Sequence, residues 1–198
     1  MLMSFRSDSV ECVILAAGSS SRLGMDKALV DVGSQTLISW ISRRLSSRLA
    51  NITIVANESN FAEISKTVSD VNVILNRNPH EGRTGSLKVG IDSIDSSGLN
   101  NYRLLVVPVD RPGFSDSTLD RLICSEETCC PMKEGRGGHP LVLTFEDVDK
   151  VRNSPANSPL REVIETSRFE VLDRFLELNI DTPEDIINLQ EKLQLVNE

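Results

Sequence analysis

Four apolar, β-branched runs separated by segments of helical period constrain the fold of this chain most strongly. The runs cover Val10–Ala17, Asn51–Ala56, Val71–Leu75 and Arg103–Val109. Strands that alternate with helices form βαβ units, which build a parallel sheet. The sequence therefore predicts an α/β protein with three α/β/α layers and a Rossmann-like, mainly parallel sheet.

The segments between these runs are predicted to be helices. Leu37, Ile41, Leu45 and Leu49 follow i, i+4 spacing, so the helix predicted over Thr36–Leu49 has one apolar stripe that should pack on the sheet. Further helices are predicted over Phe61–Val68, Gly85–Ile94 and Asp116–Cys124.

Beyond residue 125 the pattern becomes less regular. We expect a loop over Met132–Gly138, a short strand over His139–Thr144, a loop over Asn153–Pro159 and a strand over Leu176–Ile180. A last helix is predicted to begin at Pro183, because proline is favoured in the first helical turn. The buried side of this helix is predicted to contain Ile186, Leu189, Leu193 and Val196.

Length and composition predict one domain. The 198 residues are 39% hydrophobic and 25% charged, as is ordinary for a globular protein with one core. We expect a single domain over residues 1–198, as a monomer or a weak dimer. The start, MLMSFRSDS, does not resemble a secretory leader, and no apolar run approaches the roughly 20 residues of a membrane helix. The protein is therefore expected to be cytoplasmic.

The acidic charge balance excludes several classes of partner. The net charge is −8 at pH 7, whereas binding to nucleic acid or to an anionic membrane needs a broad basic surface. An anionic ligand must instead meet a local cluster of positive charge. The four cysteines include no C-x-x-C pair and the two histidines lie far apart, so neither a structural zinc site nor a disulfide framework is expected.

The stretch LAAGSSSRLGMDK, Leu15 to Lys27, looks like a phosphate-binding loop. It is not a Walker A motif, because five residues instead of four separate Gly18 from Gly24 and no Gly-Lys pair follows. It also lacks the three glycines of the dinucleotide fingerprint, which makes a Rossmann oxidoreductase a distant alternative. The loop therefore belongs to a third type.

The position and chemistry of this loop suit a triphosphate. Gly18 follows the first strand at its carboxyl end, where open α/β sheets bind ligands. Glycine and small serines let several backbone N–H groups turn toward a ligand, and Arg22 and Lys27 add two positive charges. A strand-to-helix turn with solvated charges remains the alternative.

Two carboxylates are candidates for a magnesium site. Asp110 ends the strand predicted over Arg103–Val109, and Pro112 prevents regular pairing just beyond it. Asp181 lies shortly before the last helix. Mg²⁺ usually binds one or two carboxylates and completes its shell with water and phosphate oxygens. The alternatives are a turn residue for Asp110 and a helix N-cap for Asp181.

Five motifs in order resemble the nucleotidyltransferases that have a MobA-like NTP transferase domain. They are LAAGSSSRLGMDK, HEGRTGSLKVGI, VVPVDRPGFS, GRGGHPLVL and NIDTPEDI, and together they extend over nearly the whole chain. The pattern is most similar to the molybdenum cofactor cytidylyltransferases. The resemblance implies the fold of the nucleotide-diphospho-sugar transferases.

The resemblance also implies a reaction and a set of site residues. A nucleoside monophosphate would move from a nucleoside triphosphate to the phosphate of molybdopterin, with Mg²⁺ as cofactor and pyrophosphate as the second product. The implied catalytic residues are Arg22, Lys27 and Asp110, and the implied metal ligands are Asp110 and Asp181. The implied nucleotide-binding residues are Leu15, Ala16, Ala17, Gly18, Ser19, Ser20, Gly85 and Ser86. The implied acceptor-binding residues are Arg136, Gly138, His139 and Pro140.

Donor, acceptor and activity each have an alternative. Within the family L-A-A-G goes with cytidylyl transfer and L-A-G-G with guanylyl transfer, so Ala17 favours CTP over GTP. Asn157–Arg161 departs from the family's Asp-x-Gly-x-Arg motif, which leaves a sugar phosphate or another phosphorylated small molecule open as acceptor. A nucleotide- or cofactor-binding module without catalysis is also open. Further positive charge at the site is expected from Arg83, Lys88, Arg111, Lys133 and Arg136.

Overall fold

The computed structural model describes residues 9–198. The prediction about the absence of a leader concerns residues that lie mainly outside this range. The strands are β1 (Val10–Leu15), β2 (Asp31–Val32), β3 (Gln35–Thr36), β4 (Ile52–Ala56), β5 (Asn72–Leu75), β6 (Arg103–Pro108), β7 (Cys129–Lys133), β8 (Arg136–Gly137), β9 (Leu141–Leu143) and β10 (Ser167–Glu170). The α-helices are α1 (Leu37–Ser46), α2 (Phe61–Thr67), α3 (Gly82–Asp95), α4 (Asp116–Cys124), α5 (Phe145–Asn153), α6 (Leu160–Val163), α7 (Pro183–Ile186) and α8 (Leu189–Gln194). Two 3₁₀ turns cover Lys27–Leu29 and Pro79–Glu81.

The main sheet is mixed but mostly parallel, as predicted. Its strand order is β10-β7-β9-β6-β1-β4-β5, and β8 pairs with β7. The pairs β6-β1, β1-β4, β4-β5 and β10-β7 are parallel, whereas β9 is antiparallel to both of its neighbours. The strand order reverses around β1, which lies between β4 and β6. The loop after β1 therefore opens at the switch point where such sheets bind ligands.

Helices cover both faces of the sheet and give the predicted three layers. On β1, Cys12 and Ile14 belong to one apolar cluster, which includes side chains of α1, α4 and α8. Val13 and Leu15 belong to the opposite cluster, together with side chains of α3 and α5. Because β1 is buried on both sides, its sequence is a continuous apolar run instead of an alternating one. The predicted stripe Leu37, Ile41, Leu45 and Leu49 is buried in the first cluster.

Gly90 allows α3 to lie close to β1. A Cβ atom at this position would be 2.8 Å from Cγ2 and 2.9 Å from Cγ1 of Val13. Both distances are shorter than van der Waals contact. The helix therefore packs at a distance that only glycine permits here.

We expect Gly90→Ala to destabilise the protein. Alanine gains roughly 1 kcal/mol of helix propensity over glycine, but overpacking a core costs about 1 to 3 kcal/mol, so a net loss should result. Urea unfolding measures the change in the free energy of unfolding, and the Val13→Ala/Gly90→Ala double variant should recover part of the loss. A stabilised Gly90→Ala protein would show that α3 and β1 do not pack this closely.

The prediction of a strand over Leu176–Ile180 is wrong, because this segment consists of turns and irregular backbone and pairs with no strand of residues 9–198. Leu176, Leu178 and Ile180 alternate like the apolar residues of a strand, but in the structure they pack in or against the first apolar cluster. The strand of this region is β10, which has mostly exposed residues and pairs with β7. A polar edge strand has no apolar pattern that could identify it.

Three further predictions after residue 125 need correction. The loop expected over Met132–Gly138 contains the end of β7 and all of β8, joined at Glu134 and Gly135 with φ of +51° and +77°. The strand expected over His139–Thr144 is limited to β9, and helices α5 and α6 were not predicted. The final helix breaks into α7 and α8 at Asn188, which has φ of +57°.

Within residues 9–198, no helix combines the length and the apolar character that a bilayer crossing requires.

Candidate nucleotide-binding site

A cavity of about 300 Å³ lies at the carboxyl ends of β1 and β6. Its wall contains the loop that follows β1, the start of α3, the end of β6 and Asp181. The predicted site residues that line it are Leu15, Ala16, Ala17, Gly18, Ser19, Ser20, Arg22, Lys27, Ser86, Asp110 and Asp181. Residues from distant parts of the sequence therefore meet where the strand pattern predicts a ligand.

The loop Leu15–Lys27 turns back on itself after β1. Ser20 adopts φ of +48° and Gly24 φ of +76°. The hydroxyl of Ser20 accepts a hydrogen bond from the backbone N–H of Lys27 at 3.2 Å. Asp26 caps the 3₁₀ turn at Lys27–Leu29 by accepting from the N–H of Ala28 at 2.9 Å. These contacts close the second half of the loop, between Ser20 and Lys27, and Lys27 lines the cavity.

Lys27 lies between the two predicted metal ligands. Its Nζ is 2.5 Å from Oδ1 of Asp181 and 3.5 Å from Oδ2 of Asp110. The Lys27 side chain is only 14% exposed, so water screens these contacts less than at an open surface. Arg22 contacts the second oxygen of Asp181 at 2.6 Å, and its own side chain is 73% exposed.

Two acids of the cavity, Asp181 and Asp26, have pKa values that are shifted in opposite directions. The hydrogen bond from Lys27 lowers the pKa of the Asp181 carboxyl below its usual value, and the charge of Arg22 acts in the same direction. Burial raises the pKa of Asp26, while hydrogen bonds from Asn60 and from the N–H of Ala28 oppose this effect. Asp181 is therefore firmly ionised at neutral pH and accepts cationic partners.

Asp110 and Asp181 fit a divalent metal with hard oxygen ligands. Both lie within 4 Å of the same ammonium group, and both line the cavity. Two carboxylates are a suitable protein contribution to Mg²⁺, which takes its remaining ligands from water and phosphate. Residues 9–198 contain no group of three or more His, Cys, Asp or Glu side chains that could hold a metal by themselves.

The start of α3 supplies another part of the wall. Gly82, Arg83 and Ser86 line the cavity, so Arg83 adds the positive charge that was expected from it. Gly85 was predicted to bind nucleotide, but it packs away from the cavity, where a Cβ atom would meet the Glu81 side chain at 2.7 Å. Gly82, three residues earlier and with φ of +85°, is the glycine of α3 that lines the cavity.

The predicted acceptor-binding residues lie outside this cavity, in the segment from β8 toward β9. Arg136 is exposed and Pro140 is buried. A Cβ atom at Gly138 would be 2.8 Å from Leu176, so this glycine serves close packing. Burial lowers the pKa of His139 to about 4, and the positive charges of Arg83 and Arg111 add to the effect, whereas Asp110 opposes it. His139 is therefore neutral at pH 7.

The low pKa of His139 predicts a pH-dependent stability. The unfolded chain, with a histidine pKa of about 6.5, takes up this proton first as the pH falls. The folded state should therefore lose on the order of 1 to 3 kcal/mol between pH 6.5 and 4. Urea unfolding without divalent metal should show a flatter pH profile for His139→Asn than for the wild type. Identical profiles would place the pKa of His139 near its ordinary value.

Two of the expected positive charges serve other contacts. The Nζ of Lys88 donates to the backbone oxygens of Arg152 and Ser154, and so caps the end of α5. Lys133 donates to the backbone oxygen of Arg174. Both side chains are therefore satisfied away from the cavity.

Sequence reasoning missed the asparagines that support the loop. Asn57 and Asn60 follow β4 at its carboxyl end, next to the loop that follows β1. Asn57 donates to the backbone oxygen of Gly18 at 3.2 Å, and Asn60 donates to Ala16 and to Asp26. Their position directly after the second predicted strand is the signal that could have identified them.

Comparison with known proteins assigns the chain to a family. Residues 12–171 match the MobA-like NTP transferase domain. The chain therefore belongs to the MobA-like NTP transferase domain family, as the motifs predicted. It is a nucleotidyltransferase, and its relatives are named molybdenum cofactor guanylyltransferases and cytidylyltransferases.

Three relatives illustrate the range of similarity. The molybdenum cofactor guanylyltransferase of Rhizobium leguminosarum bv. trifolii is 27% identical, with 92% of each chain covered. That of Vibrio atlanticus is 30% identical, over 62% of this chain and 56% of its own length. The molybdenum cofactor cytidylyltransferase of Escherichia coli K12 is 20% identical, over 93% of this chain and 97% of its own.

Solved structures support the fold. Molybdopterin-guanine dinucleotide biosynthesis protein A of Archaeoglobus fulgidus superposes with a TM-score of 0.66 at 17% identity, and covers 91% of this chain and 97% of that one. The manganese complex of Rv0371C from Mycobacterium tuberculosis gives a TM-score of 0.70 at 16% identity, over 93% and 98%. The predicted α/β fold of this transferase type is thus confirmed.

Proposed function

We propose that this chain transfers a nucleoside monophosphate from a nucleoside triphosphate to the phosphate of molybdopterin and releases pyrophosphate. The observation that carries the proposal is the position of Lys27. It lies between Asp110 and Asp181, at the end of the glycine- and serine-rich loop that lines the cavity. This arrangement offers positive charge and backbone N–H groups to phosphates, and two carboxylates to a metal. The names of the relatives supply the acceptor.

The chemistry needs positioning more than proton transfer. An oxygen of the acceptor phosphate attacks the α-phosphorus, the bond between this phosphorus and the bridging oxygen of the β-phosphate breaks, and pyrophosphate leaves. The acceptor is a phosphate monoester with a second pKa of about 6, so it is already ionised and no general base is required. Lys27 and Arg22 bind the phosphates and offset the charge that develops on them.

Asp110 and Asp181 would hold the divalent metal, for which we propose Mg²⁺. When bound, such an ion screens the charge of the triphosphate and orients its oxygens. Lys27 occupies the space next to both carboxylates in the structure. Its ammonium can therefore exchange carboxylate contacts for phosphate contacts as the nucleotide arrives.

For the donor we propose GTP ahead of CTP. Ala17 favoured CTP in the sequence, but guanylyltransferases predominate among the relatives. The side chain of Ala17 is also a weak basis for base selection, because the residue is 3% exposed and belongs to the apolar cluster beneath α3. Its methyl group contributes to the core more than to the cavity surface.

A matrix of donors and acceptors tests this proposal. Each of the four ribonucleoside triphosphates is incubated with Mg²⁺ and either molybdopterin or a sugar 1-phosphate, and pyrophosphate release is followed. We expect release with GTP and molybdopterin only when both substrates and the metal are present. Release with the sugar phosphate would change the acceptor, and nucleotide binding without release would indicate a binding module instead of an enzyme.

A further inference from the structure

Asn60 has an unusual arrangement for its place in the fold. It occupies the N-cap position of α2, where an asparagine side chain normally accepts a hydrogen bond from the first helical turn. Its side chain makes no such capping bond. The residue is completely buried, and its amide turns toward the nucleotide loop instead.

All polar atoms of this amide are used in the loop region. Nδ2 donates to the backbone oxygen of Ala16 at 2.9 Å and to Oδ2 of Asp26 at 2.8 Å. Oδ1 accepts from the N–H of Asn57 at 2.9 Å. Rotating the amide by half a turn would place Oδ1 against two acceptors, so only one orientation is compatible with these contacts.

The two partners of Nδ2 stand at opposite ends of the loop. Ala16 follows β1 directly, and Asp26 immediately precedes Lys27. The other oxygen of Asp26 accepts from Ala28 and so fixes the 3₁₀ turn that begins at Lys27. One buried amide therefore joins the start of the loop to the residue that orients its lysine.

We propose that Asn60 is a positioning residue for nucleotide binding, which acts by holding together the two ends of the loop between Ala16 and Asp26. Asn60 is not among the residues that line the cavity, so it acts through the loop and not by contact with the nucleotide. The inference rests on the proposed function, because it assigns Asn60 a part in triphosphate binding. The role of the amide is to hold the loop in shape, and not to stabilise α2.

The variant Asn60→Asp tests this assignment with almost no change in shape. It replaces the two N–H donors by an oxygen that faces the Ala16 carbonyl and the Asp26 carboxylate. The matched control is Asn51→Asp, one residue before β4, whereas Asn60 lies beyond the other end of this strand. Asn51 donates to Oε1 of Glu11 at 3.1 Å, so this change also sets two carboxylates against each other, but far from the loop.

Affinity for Mg²⁺·GTP and Mg²⁺·CTP is measured by titration calorimetry, at a temperature where unfolding curves show every variant to be fully folded. We expect Asn60→Asp to weaken binding of the preferred triphosphate at least tenfold, about 1.4 kcal/mol, and Asn51→Asp to leave it unchanged. The double variant Asp26→Asn/Asn60→Asp restores a donor between the two side chains and should regain part of the affinity. Unchanged affinity in folded Asn60→Asp, or an equal loss in Asn51→Asp, would overturn the proposal.

Amide hydrogen exchange of the nucleotide-free proteins gives a second, independent test of the positioning role of Asn60. Peptides covering residues 16–28 should exchange faster in Asn60→Asp than in Asn51→Asp, because the loop ends are no longer joined. Equal exchange in the two variants would overturn the positioning role. Failure of the wild type to bind any triphosphate would instead contradict the proposed function, and this result is distinguishable because the exchange measurement does not use nucleotide.

Discussion

Replacing Asp110 with asparagine is expected to lower kcat by roughly three orders of magnitude, about 4 kcal/mol in activation free energy. The change keeps the size of the side chain but removes the charge of one of the two carboxylates that are proposed to hold the metal. Lys27 retains its 2.5 Å contact with Asp181, so the fold of the site should persist. Single-turnover measurement of pyrophosphate release at saturating substrates isolates the chemical step.

The matched control for this prediction is Asp92→Asn. Asp92 is an exposed carboxylate on α3, outside the cavity, so its loss changes the net charge by the same amount. Its kcat should stay near the wild-type value. An Asp110→Asn enzyme that also retains near wild-type kcat would remove Asp110 from the catalytic machinery and with it the metal site proposed here.

The second large effect is expected from Lys27→Met, which should weaken triphosphate binding roughly 10- to 150-fold. This range corresponds to the loss of a hydrogen bond to a charged group, about 1.5 to 3 kcal/mol. Methionine keeps most of the length of the side chain and removes the ammonium group with its charge. Asp110 and Asp181 then lose their common cation, so the affinity of the empty site for a divalent metal should not fall.

Titration calorimetry with nucleotide and, separately, with Mg²⁺ or Mn²⁺ alone measures both effects. Lys66→Met is the control, because Lys66 is 71% exposed on α2 and, within residues 9–198, its only ion pair is with Glu63. It should bind both ligands like the wild type. If Lys27→Met binds nucleotide normally, the phosphates lie elsewhere and the loop Leu15–Lys27 is a structural turn.

The first half of the fold could be predicted from the sequence because its signals are strong. β1, β4, β5 and β6 lie in the parallel part of the sheet, and their apolar runs persist because helices cover both faces. The second half gives weaker signals. β10 presents mostly polar residues at an edge, and the turns at Leu176–Ile180 carry the alternation of a strand without forming one.

The centre of the site could be predicted for a similar reason. The carboxyl ends of β1 and β6 meet at one edge of the sheet, so the strand pattern implies that the loop Leu15–Lys27 lies close to Asp110. The supporting residues could not be predicted in this way. An asparagine before a helix, such as Asn60, indicates an N-cap in the sequence, and only the structure reveals that its amide faces another loop.

Product identification in a complete reaction shows whether this chain transfers a nucleotide to molybdopterin. Wild-type protein is incubated with molybdopterin, Mg²⁺ and α-³²P-labelled GTP or CTP. The products are separated, and their masses are determined by mass spectrometry. We expect a labelled dinucleotide of molybdopterin, equimolar release of unlabelled pyrophosphate, and neither product with Asp110→Asn. Label that remains in the triphosphate with both donors, under conditions where the wild type binds nucleotide, would contradict nucleotidyl transfer to molybdopterin by this chain.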